Sequence, residues 1–82
     1  MIGIRSGWLK DADRSHGLWT RITSAGMYQL EYRRREPGGD RGWHLYGPNG
    51  SPFGLHMAYT VQEAKERADL YIFRPEQYFE DQ

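Results

Sequence analysis

The stretch TVQEAKERADLYIF, residues 60–73, carries the clearest helical periodicity in the chain, and it dictates what the rest must supply. Val61, Ala64, Ala68, Tyr71 and Ile72 recur at i, i+3, i+7, i+10 and i+11 and make one apolar stripe, with Gln62, Glu66 and Asp69 outside it. Thr60 and Glu63 have the spacing of a capping box, in which hydroxyl and carboxylate satisfy the open donors of a helix N-terminus. Pro75 stops the helix, so it spans 60–74. A single amphipathic helix must bury its stripe against something, and here only a sheet is on offer.

The strands are legible upstream. MYQLEYRRR alternates, with Tyr28, Leu30 and Tyr32 on one side and Gln29, Glu31 and Arg33 on the other, as a half-buried strand requires. LWTRIT, Leu18 to Thr23, is short, β-branched and aromatic and ends at Ser24-Ala25-Gly26. After the EPGGD turn, GWHLYG returns as an antiparallel partner with Trp43 and Leu45 on one face and His44 and Tyr46 on the other. GPNGSP turns again through an Asn-Gly pair, and a short strand over Phe53 to Met57 follows, where Gly54 marks a bulge or an end. Residues 1–17, with Gly3, Gly7 and Gly17, read as a loose lead-in with a short strand near Ile2 to Arg5. Residues 75–82 form an acidic, aromatic tail. The expectation is one α+β domain over 1–82: a three- to four-stranded antiparallel sheet over 18–58, with one C-terminal helix packed on one face.

At 82 residues the chain can bury only about 60–65% of the surface it exposes when unfolded. It has no cysteine, so neither a disulfide nor a thiolate metal site reinforces it, and its three Trp, six Tyr and three Phe must provide the packing. Eleven basic and eleven acidic residues cancel. That argues against the broad positive field of nonspecific nucleic-acid binding. Their placement is uneven: five arginines lie between Arg21 and Arg41, and six acidic residues lie from Glu63 onward. Such asymmetry suits a local anion contact, a head-to-tail contact or a solvated strand face. Met1 to Lys10 lacks the apolar run of a signal peptide, and nothing approaches the ~18 apolar residues of a membrane span. A cytoplasmic protein without membrane attachment is expected, in which Asn49-Gly50-Ser51 is a turn rather than a glycosylation site.

The order LWTRITSAGMYQLEY, GWHLYG and TVQEAKERADLYI, over roughly residues 18–72, resembles small uncharacterised proteins of actinobacteria and their bacteriophages. Those carry a Gly-x-Tyr strand, a Gly-Trp-x-Leu strand and a T-x-x-EAK-x-x-A helix. The resemblance implies a fold and a setting more than an activity. The layout is also similar to the arm-binding domains of phage integrases and to plant AP2 DNA-binding domains, whose three strands precede a T-x-EEA-x-x-A helix. In those families the sheet enters the major groove. By position, that likeness implies contacts from Arg21, Arg33, Arg35 and His44, with Arg34 and Arg41 near the turn. The chain departs from the pattern in its neutral charge and its long YGPNGSPFGLHMAY connection.

Chemistry-bearing clusters are sparse. His16, His44 and His56 have no metal-ligand spacing, and Asp11-x-Asp13-x-Ser15 fails as a calcium loop because His16 and Ile22 stand where Gly and Glu are needed. Ser15 and Ser51 lack a nucleophile elbow, and the glycines of 47–54 lack the Lys-Ser/Thr of a phosphate loop. No catalytic residue, cofactor or metal is expected. What remains is a partner-binding patch of Arg33, Arg34, Arg35, Arg41, His44 and Tyr46 on the open sheet face and hairpin tip. Tyr78 and Phe79 either fold back on the core or mediate a homodimer. The expected function is therefore non-enzymatic: a phage or actinobacterial accessory protein that engages a host protein, with a DNA-binding module and a self-assembling structural protein as alternatives.

Overall fold

The computed structural model describes residues 7–11, 17–34 and 41–80. Five strands run in sequence order across one antiparallel sheet: β1 (Leu9–Lys10), β2 (Leu18–Thr23), β3 (Gly26–Arg33), β4 (Gly42–Tyr46) and β5 (Phe53–Ala58). Two helices follow, α1 (Val61–Phe73) and α2 (Pro75–Glu80). The class is α+β as expected, with five strands against the three or four read from the sequence. The additional strand, β1, comes from the presumed lead-in and pairs Leu9 with Thr20 and Lys10 with Trp19. A two-residue strand is too short to show a period. The strand expected near Ile2 to Arg5 lies outside the described residues.

β2 and β3 form a tight hairpin. Thr23 faces Gly26, and the Thr23 hydroxyl donates to the Gly26 carbonyl at 2.9 Å while accepting from the Ala25 amide at 3.1 Å. Gly26 has φ of 133°, and a Cβ there would stand 2.7 Å from the Pro48 ring. The turn after β4 uses Asn49 and Gly50 at φ of 60° and 79°, as the Asn-Gly pair anticipates. β5 is bulged twice against β4: Trp43 pairs with Ala58 and His44 with His56, which leaves Met57 extra, and Leu45 pairs with Leu55 and Tyr46 with Phe53, which leaves Gly54 extra.

Leu30 and Leu45, opposite one another on the central strands, are fully buried. With Trp8, Met57, Ala58, Ala64, Ala68 and Tyr78 they form the core. α1 lies on that face through Ala64 and Ala68, two small residues that let the helix backbone approach the sheet. Thr60 caps it by accepting from the Glu63 amide at 3.3 Å. Toward the β2 side the helix is tied down by charge. The Lys65 ammonium sits 3.4 Å from the Trp19 ring centroid, Asp69 pairs with Arg21 at 3.6 Å, and Arg21 stacks 4.7 Å from the Phe73 ring. The Trp8 indole also donates to Asp69 at 3.0 Å. Asp69, read from the periodicity as an outer residue, thus faces the sheet. Burial raises its pKa from the ordinary 3.8, and the Trp8 hydrogen bond and the Arg21 charge oppose that rise.

Pro75 ends α1 and opens α2, where its missing amide hydrogen costs nothing. α2 folds Tyr78 into the core and leaves Phe79 exposed, dividing a pair that the sequence left undecided between core and partner. Tyr71, Tyr78 and Phe79 stack edge-on or tilted at 5.1 to 6.2 Å. Among the described residues no helix is long and apolar enough to cross a membrane.

Candidate functional site

The sheet has two faces, and the described helices cover only one. The register places Thr20, Gln29, Tyr46 and Phe53 in one row of the other face, Leu18, Glu31, His44 and His56 in the next, and Ile22 beside Met27 at the hairpin end. Arg33, opposite Gly42, begins a further row at the far end. Four large apolar side chains stand out from this face: Leu9, opposite Thr20, is 60% exposed, Ile22 71%, Met27 50% and Phe53 79%. A cluster of that kind on a sheet face that no described helix covers is a candidate interaction surface.

Its polar part is preorganised. The Arg33 guanidinium donates to the Tyr46 hydroxyl at 2.7 Å, and the Tyr46 ring meets Phe53 edge-on at 5.4 Å. To reach Tyr46 from its own row, Arg33 must extend past the row that holds His44. Gly54, at φ of 73°, lies against the Tyr46 phenol, which a Cβ there would approach to 3.3 Å. An arginine, a tyrosine and a phenylalanine are thereby brought together on the outer surface, and the first two are types that carry much of the energy at protein contacts.

Alternation placed His44 outward as a recognition residue. Its strand face is as expected, but it is only 8% exposed. Its Nδ1 lies 3.2 Å from the Gly42 carbonyl and its ring packs edge-on to His56 at 5.1 Å. His56 in turn stacks on Tyr59 at 4.8 Å and reaches the Arg41 carbonyl with Nε2 at 3.2 Å. Gly42 is required beneath this pair: its φ is 140°, and a Cβ would stand 2.5 Å from His56 Nε2 and 2.9 Å from the Ala58 carbonyl. The two imidazoles thus bind backbone and each other and brace the β4–β5 junction. Among the described residues no three or more His, Cys, Asp or Glu side chains converge as a metal would need.

The remaining candidates disperse. Arg34 and Arg41 are exposed at the β3–β4 end. Arg35 lies outside the described residues. Arg21, implicated by the likeness to DNA-binding domains, is on the helix-covered face and paired with Asp69. The apolar members Ile22, Met27 and Phe53 were not anticipated. In LWTRIT both alternating sets contain large side chains, so the pattern does not say which set is covered. No family model, curated protein or solved structure matches the chain.

Proposed function

We propose that the chain is a small non-enzymatic binding protein that engages another protein through its open sheet face. With the setting implied by its resemblance, it is a phage or actinobacterial accessory protein and the partner is a host protein. The observation that supports this reading most is the exposed set Ile22, Met27 and Phe53 beside the Arg33–Tyr46 pair. Apolar area gives the contact its driving force, and the held arginine and tyrosine give it direction. A DNA-binding reading uses the same sheet. It draws on Arg33, Arg34 and Arg41 but must share the face with Glu31 and four exposed apolar side chains.

The test is affinity capture of the tagged protein from actinobacterial lysate, with and without nuclease, beside a variant carrying Arg33→Ala, Tyr46→Ala and Phe53→Ser. The expected result is one host protein, retained after nuclease and lost with the folded variant. Undiminished capture by the variant overturns the assigned surface. Recovery of nucleic acid alone, with binding that weakens steeply as salt rises, replaces the reading with the DNA-binding one. Self-assembly through the exposed Phe79 predicts instead a solution mass above that of one chain.

A further inference from the structure

A second surface lies at the sheet edge. β5 is the last strand, and among the described residues nothing pairs with its outer side. Beside it runs a groove of about 480 Å³, lined by His56, Met57, Ala58 and Tyr59 from the strand side and by Glu63, Glu66, Arg67 and Leu70 from one side of α1. A strand edge flanked by a helix is the geometry in which an extended peptide adds as a further strand, its main chain hydrogen-bonding to the edge and alternate side chains entering the groove. β5 contains neither lysine nor proline, two of the devices by which edge strands are commonly blocked; its bulges at Gly54 and Met57 are a third, and they confine pairing to a short run of the edge.

The charges specify the occupant. Arg67 is turned onto the Tyr78 ring, 5.2 Å away. Glu63 is held by the Thr60 hydroxyl and Glu66 by the Gln62 amide, both neutral groups. Neither carboxylate has a cationic partner among the described residues, so the groove has an apolar floor and an acidic rim. From Glu63 to Leu70 the helix rises about 10 Å. An extended chain covers that in about three residues, and residues two apart point the same way.

We infer that the groove between β5 and α1 binds an extended peptide segment with an apolar side chain at one position and Lys or Arg two residues away, the apolar group lying by Met57 and Leu70 and the cation by Glu63 and Glu66. This site meets the open face at His56 alone among its lining residues and does not rest on the function proposed for that face.

The probe is the palindromic peptide acetyl-Thr-Lys-Thr-Leu-Thr-Lys-Thr-amide, which offers the pattern in either strand direction, followed by NMR of the protein's backbone amides. Shifts confined to β5 and the facing side of α1 are expected, with binding roughly threefold to tenfold weaker for Glu66→Lys. That variant should in turn prefer the same peptide with Glu in place of Lys, and N-methylation of the peptide amides should abolish binding. An open-face variant off β5, Ile22→Ser, Met27→Ser, Arg33→Ala, should bind the peptide like the parent. Shifts on the open face, equal binding of the Lys and Glu peptides, or no shifts at millimolar peptide overturn the inference. So does a doubled solution mass with β5 amides already protected, which assigns the edge to a second copy.

Discussion

Asp69 shows how one residue can be misread from periodicity. On the helix it borders the apolar stripe, and its partners Trp8 and Arg21 are far away in sequence, the first by 61 positions. Burial outweighs those partners, so the folded chain holds the Asp69 proton more tightly than the unfolded chain does. The native state then binds more protons than the unfolded state just above pH 3.8, and this contribution to stability, fully present at lower pH, is lost as pH rises through the raised value. Asp69→Asn removes the titration and keeps an oxygen for the indole. The difference in urea midpoint between parent and Asp69→Asn should therefore shift in the variant's favour as pH rises from 3.8 toward neutrality, and a difference independent of pH refutes it. His44 carries a similar lesson: alternation gave its face correctly, but not the neighbours that cover it.

At the level of elements, α1 was the most legible because its cap, stripe and stop agree. Its central alanines are the point of closest approach to the sheet, and both are fully buried. Ala68→Leu is expected to destabilise by about 1–3 kcal/mol through overpacking, read from urea unfolding. An effect below a few tenths would mean that the helix stands off the sheet. β2 to β5 were legible from alternation and turn residues, and the bulge at Gly54 from the glycine itself. β1 and α2 were not, because each depends on distant partners. Trp8 becomes core only when α1 crosses above it, and α2 is a helix of six residues whose Tyr78 needs the core to order it. The open-face patch escaped for a related reason. Ile22 and Met27 are ordinary strand residues whose exposure is decided by where a single helix comes to lie.

Across the whole molecule, neutral net charge conceals an uneven distribution. Arg33, Arg34 and Arg41 gather at one end of the sheet, while Glu63 and Glu66 line the helix side of the β5 edge. The β3–β4 end of the sheet and the groove therefore differ in the sign of their charge. The strand order has a further consequence, in time. Because every strand pairs with its neighbour in sequence, the sheet can assemble hairpin by hairpin with short loops to close. The Trp8–Asp69 bond, spanning 61 positions, has no such shortcut and belongs to the end of the process. Trp8→Phe keeps the aromatic bulk and deletes the bond, at a cost of about 1 kcal/mol. In stopped-flow kinetics that loss should appear almost wholly as unfolding about fivefold faster, with the folding rate unchanged. A slowed folding limb would place the contact in the nucleus instead. On the expected outcome the indole that ties the residue before β1 to α1 is a latch: it sets how long the folded molecule lasts, not how fast it forms.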